Sequence, residues 1–145
     1  MRLSKRTEYG LRAIVQLAKL WPTQYIQSRD LSDQENLPNK FLESILLALK
    51  RGGFLESKVG SGGGYRLSRA PREIMVGDVI RRLEGRLSAR DQESPRETAA
   101  GEVAVHLINQ KLTQATDKVL DSITLEELLD EVNKTTGGHQ EMYYI

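Results

Sequence analysis

The stretch "SRDLSDQENLPNKFLESILLALKRGG", residues 28–53, constrains the fold more than any other part of the chain. Pro38 biases Leu37 away from helical geometry, so one helix must stop before it and another start after it. The spacing predicts a short helix over about 29–35 with Ser28 as its N-cap. A second helix follows over about 39–51 and ends at Gly52-Gly53, a C-cap signal. Two short helices joined by about three residues form a helix-turn-helix pattern. In the second helix Phe41, Leu42, Ile45, Leu46 and Leu49 recur at three and four residues and are expected to face a core. Lys40, Glu43, Ser44 and Arg51 fall on another side, with Asn39 and Lys40 at the N-terminal end. Polar donors and acceptors in the first turns of such a helix are what reading base edges requires. The alternative for this face is ordinary solvation.

Directly afterwards come two short strand candidates, 54–59 and 65–69, separated by "GSGGG". Glycines reach positive φ cheaply, so this reads as a hairpin turn. A dinucleotide fingerprint would need glycine where Tyr65 stands and a helix next; a P-loop would need Gly-Lys-Ser/Thr. Neither is present. Lys58, Arg66 and Arg69 flank the turn, and a basic hairpin after a helix-turn-helix is a wing. Gly60, Gly62, Gly63 and Tyr65 complete the candidate wing contacts.

The other elements read as helices. "KRTEYGLRAIVQLAKL" carries a wide apolar stripe through Tyr9, Ala13, Ile14, Leu17 and Trp21, with Ser4 as N-cap and Pro22 as its stop. A short helix spans about 76–84. "LSARDQESPRETAAG" is polar and reads as a linker. A long helix over about 98–120 carries Val103, Leu107, Ile108, Leu112, Ala115 and Val119 at near-heptad spacing. A projecting apolar stripe finds a partner, most simply its own copy; packing back on the same domain is the alternative. Thr124 and Glu127 form a capping box for a last helix, about 125–132.

The chain has 145 residues, no cysteine and two histidines. That excludes disulfides, zinc-finger spacing and thiolate ligands for an iron–sulfur cluster. There is no catalytic triad or paired-carboxylate site, so an enzyme is not expected. The N-terminus lacks a secretory h-region and no apolar run reaches the ~18 residues of a membrane span, so a soluble cytoplasmic protein is expected. Residues 1–90 hold 17 Lys/Arg against 9 Asp/Glu, and residues 91–145 hold 4 against 11. A basic part that meets an anion and an acidic part that does not would give this split.

"MRLSKRTEYGLRAI", "NKFLESILLALKRGGFLES", "GSGGGYRLSR", "IMVGDVIRRLEG" and "VLDSITLEELL" together resemble the Rrf-two family of winged-helix regulators, of IscR, NsrR and CymR type. The resemblance covers nearly the whole chain. It implies a dimer on palindromic double-stranded DNA, usually a repressor. It places Asn39, Lys40, Glu43 and Ser44 on the recognition helix, Ser4, Lys5 and Arg6 at phosphates, and the wing in the minor groove; Ser28 joins the DNA set. Many members carry arginine at the position of Val59, so Lys58 or Arg66 must serve here. Sensing members carry three cysteines before the long helix; this chain has "SARDQESPRETAAGEV" there, and His106 alone cannot hold a cluster. No cofactor or metal is therefore expected. The lack of cysteine and the ending "EMYYI" resemble the CymR branch, which implies a partnership with cysteine synthase through Met142, Tyr143, Tyr144 and Ile145; docking of this tail on the protein's own dimer is the alternative.

The expected fold is mostly α with a small β-hairpin. A winged helix-turn-helix occupies 1–86, a polar linker 87–97, dimerisation helices 98–132, and a flexible tail 133–145.

Overall fold

The computed structural model describes residues 2–85 and 99–143, the side chains of 138–143 excepted. Among the described residues, six helices and one two-stranded sheet follow the expected order. Helix α1 spans Lys5–Lys19, α2 Ser28–Glu35, α3 Asn39–Arg51, α4 Val76–Glu84, α5 Ala100–Leu120 and α6 Leu125–Tyr143. Strands β1 (Leu55–Lys58) and β2 (Gly64–Leu67) lie between α3 and α4, followed by one 3-10 turn at Pro71–Glu73. The polar stretch expected to be a linker, 87–97, lies outside the described residues.

One core holds the N-terminal elements together. Ala13, Ile14 and Leu17 of α1 pack with Leu31 of α2, Leu42, Ile45, Leu46 and Leu49 of α3, Leu67 of β2, Val79 of α4 and Leu125 of α6. Ser4 caps α1 as expected, its hydroxyl accepting from the Thr7 backbone N–H at 3.2 Å. Glu84 adds to that cap from α4, accepting from the Ser4 N–H at 2.8 Å. The break between α2 and α3 is made by Asn36, which ends α2 in the left-handed conformation (φ 52°, ψ 52°). Asparagine tolerates that region better than most residues. The turn is closed by Ser32, whose hydroxyl donates to the Leu37 carbonyl.

Four expectations are corrected. Ser28 is not the N-cap of α2 but its first residue; Gln27 precedes it with no side-chain cap bond. Ile26 exchanges both backbone bonds with Tyr65 (2.8 and 2.7 Å), which holds the chain extended up to Gln27. The Gln27 carbonyl then accepts from Leu31 and the helix begins one residue early. Phe41 does not face the core: it is 62% exposed. At 3.6 residues per turn it lies about 90° from the centre of the Leu42–Ile45–Leu46–Leu49 stripe. The strands are four residues each: β1 stops at Lys58 ahead of the turn glycines, and β2 begins one residue early at Gly64 and ends at Leu67, past which the Ser68 N–H donates to the Phe54 carbonyl at 3.0 Å. Finally, the expected flexible tail continues α6 as helix to Tyr143. No proline intervenes, and the hydroxyls of Thr135 and Thr136 bond back to the carbonyls of Glu131 and Val132 at 2.9 Å.

Among the described residues, helix α5 is held to α4 near its C-terminal end. Arg81 of α4 bridges Asp117 (2.9 Å) and Asp121 (2.8 Å). These carboxylate hydrogen bonds, Asp121 first, raise the guanidinium pKa further. Gly77 lets α4 touch the Leu120 backbone; a Cβ there would sit 2.7 Å from its carbonyl oxygen. The segment after α5 is stitched back by Val76 N–H to Ile123 O (2.9 Å) and Leu125 N–H to Ile74 O (2.8 Å). No residue of α5 is buried.

Candidate nucleic-acid interface

Helix α3 presents its polar side outward. Asn39, Lys40, Glu43, Ser44 and Arg51 are all exposed, while the opposite stripe is sealed in the core. The amphipathic pattern dictates this, because four fully buried aliphatic side chains fix the rotation of the helix. The start of α1 reaches the same surface. Arg6 Nη1 donates to the Ser44 hydroxyl at 3.3 Å, so two candidate residues 38 positions apart meet directly. Lys5 is exposed beside Glu8, paired at 3.2 Å. Ser4 is exposed at the cap. Ser28 is only half-exposed, on the first turn of α2.

The wing is a true hairpin. Leu55 pairs with Leu67, Glu56 with Arg66, Ser57 with Tyr65 and Lys58 with Gly64. Gly60 (φ 99°) and Gly62 (φ 75°) turn the chain in open space. Gly63 is pressed against the strand, where a Cβ would meet the Lys58 carbonyl at 2.2 Å. Gly64 was not among the expected residues, yet it is as tight as Gly63: φ is 127° and a Cβ would lie 2.2 Å from the Ile26 carbonyl. The signal was present in the run of glycines, but the third backbone crossing it accommodates is 38 residues away.

Two expected wing contacts carry structural duties. Tyr65 packs against the core and pairs through its backbone with Ile26. Arg66 pairs with Glu56 across the hairpin and stacks over the Tyr25 ring at 4.3 Å. The Glu56 hydrogen bond raises its pKa. Lys58, exposed and 5.9 Å from the same ring, and Val59, 96% exposed, stand at the tip. The arrangement is a helix with polar groups in its first turns, cations at its flank and a basic hairpin beside it. Such a surface suits a phosphate backbone and one groove of a duplex.

On α5, Leu107, Ile108, Leu112 and Val119 are exposed apolar residues, as is Val105, which the sequence reading omitted. Val105, Ile108, Leu112, Ala115 and Val119 follow 3-4-3-4 spacing, the seam of a helix pair. Val103 lies far round the helix from that seam and is half-buried. Among the described residues no helix is long and apolar enough to cross a membrane.

Comparison with known proteins agrees with this geometry. The profile of the Rrf2 family, described as iron-dependent transcriptional regulators, matches residues 3–131. The transcriptional regulator CymR of Bacillus subtilis is 33% identical over 143 residues, covering 99% of this chain and 97% of its own. The solved structure of the same CymR, the global cysteine regulator of that organism, superposes with a TM-score of 0.75 at 30% identity, covering 90% of this chain and 98% of its own. IscR of T. potens gives 0.75 at 28% identity, covering 93% and 90%. The family description implies iron. The donor chemistry here does not fit a thiolate-held cluster: the chain has no cysteine, and among the described residues no group of three His, Asp or Glu side chains is placed to hold a metal ion. These relatives are regulators rather than enzymes, and the chain belongs to the Rrf2 family of winged-helix transcriptional regulators.

Proposed function

We propose that this regulator binds palindromic double-stranded DNA as a homodimer and represses transcription without an iron–sulfur cluster. The observation that carries the reading is the meeting of Arg6 with Ser44 on the exposed face of α3, beside a basic wing. Asn39, Lys40, Glu43 and Ser44 read base edges. Ser4, Lys5 and Arg6 hold phosphates, with Ser28 at the edge, and the wing glycines bring Lys58 to the neighbouring groove. The α5 seam supplies the dimer. If about 6 phosphates are neutralised, log K falls against log salt with a slope near −5. Lys40→Ala changes the preferred sequence, whereas Lys5→Ala weakens all sequences alike. A flat salt dependence, with no retardation of any palindromic promoter, would remove the reading. Transcription from a bound promoter in a purified system falls when the protein is added; a rise would make it an activator.

The absence of thiolates supports the cluster-free part. The protein purifies colourless without oxygen, and reconstitution with iron and sulfide leaves no stoichiometric visible absorbance.

The finer reading is control of cysteine metabolism, supported by the likeness to the global cysteine regulator CymR. The chain end Met142, Tyr143, Tyr144 and Ile145 is then the docking element for cysteine synthase. A free carboxylate on an apolar residue has the charge and shape of an amino-acid substrate, which backbone amides capture. Calorimetric titration with cysteine synthase gives binding for the intact chain and none for a chain lacking Tyr143–Ile145. Equal binding by both would end this part while leaving the DNA reading standing.

A further inference from the structure

Phe41 is a large apolar side chain, 62% exposed, on the first turn of α3. Neither the core nor a partner element covers it in the described structure. It neighbours Lys40 in sequence and Ser44 at i+3, a spacing that places side chains about 5–6 Å apart on one helix surface. Ser44 has one lone pair occupied by Arg6, whose positive charge makes a hydrogen-bond acceptor the favoured further partner of the hydroxyl. An apolar contact and a donor are thus held side by side on the outward face of a helix flanked by cations. A polyanion with exposed methyl groups fits that surface better than a protein would. In the major groove thymine shows just this pair, the O4 acceptor beside the 5-methyl group, and no other unmodified base presents a methyl.

We propose that Phe41 and Ser44 together read one thymine in each half-site, Phe41 covering the 5-methyl group and Ser44 donating to O4. This rests on the DNA-binding reading above and assigns it a base. Leu47, one turn further along and 40% exposed, lies beyond the first turns and is not needed.

The test uses the intact protein and an operator enriched by it from random duplex DNA. Each thymine is replaced in turn by deoxyuridine, which removes only the methyl group, and affinity is measured by fluorescence anisotropy at fixed salt. One thymine per half-site loses about three- to fivefold in affinity, the effect of uncovering one buried methyl. Phe41→Ala binds the thymine and uracil operators equally. Phe41→Leu keeps a smaller preference, and circular dichroism confirms that both variants fold. At the same position 5-methylcytosine, which keeps the methyl but offers an amino group, binds more weakly than thymine to the intact protein. That gap closes in Ser44→Ala. Selection of a clear operator with no methyl effect at any thymine would overturn the proposal and spare the DNA reading. So would a methyl effect that survives Phe41→Ala, or a Phe41→Ala loss equal for operator and random DNA. Failure to enrich any sequence would overturn the DNA reading and this assignment with it.

Discussion

At the scale of single residues, the glycines between 60 and 64 differ in what they require. Gly60 and Gly62 need only their backbone angles, since nothing lies within 4 Å of a Cβ built there. Gly64 needs both its angle and its missing Cβ, because the Ile26 carbonyl occupies the space. Gly64→Ala must therefore separate Tyr65 from Ile26 and is expected to lower stability by about 2–4 kcal/mol. Gly60→Ala stores only local strain, about 1–2 kcal/mol. Thermal unfolding of the two variants checks the order; equal losses would mean that the Ile26 pairing does not hold the wing. Phe41 shows the opposite limit of residue-level reading. Its spacing to Ile45 matches a core stripe, but a helix buries only the arc that meets its neighbours. That arc is set by α1, α2, α4 and β1, against which α3 packs.

At the scale of elements, two charged contacts fix how helices meet. Glu84 of α4 accepts the Ser4 N–H at the start of α1, and this bond lowers its pKa. A carboxylate depressed in the folded state stabilises fully above its unfolded pKa, about 4.3, and that stabilisation is lost as pH falls through the lower folded value. Glu84→Gln is thus less stable than the parent at pH 7, and the difference shrinks as the solution is acidified through that window. Urea unfolding at neutral and acid pH measures it; a difference independent of pH would remove the capping role. Arg81 is shared among Asp78, Asp117 and Asp121, with its side chain 31% exposed and its partners about half-exposed. Solvent screening limits such pairs, so Arg81→Gln costs about 1–2 kcal/mol for the network. Hydrogen exchange at the C-terminal end of α5 rises in the same variant.

At the scale of the whole molecule, α5 leaves its apolar seam exposed while its lower end is bolted to α4. An apolar row of five positions at 3-4 spacing is what two copies of a helix bury against each other. Ile108→Glu with Leu112→Glu is expected to convert the protein to a monomer by light scattering and to weaken a palindromic duplex at least tenfold. The melting temperature of the winged domain should change little, since neither side chain is buried in it. A dimer that survives both charges would place the subunit contact elsewhere. Sequence periodicity alone settled that α5 is a long amphipathic helix, that α3 is a two-faced helix ended at Gly52, and that the glycines turn a hairpin. These are local properties, written in nearest-neighbour spacing and in the conformational limits of proline and glycine. Only the tertiary structure decided that Ile26 forms the third crossing of the wing and that Arg6 reaches Ser44. It also decided that Phe41 faces outward and that Leu125 seals the core. Each of these depends on which elements pack together, a choice made by the summed burial of distant apolar faces and invisible in any short window of the chain.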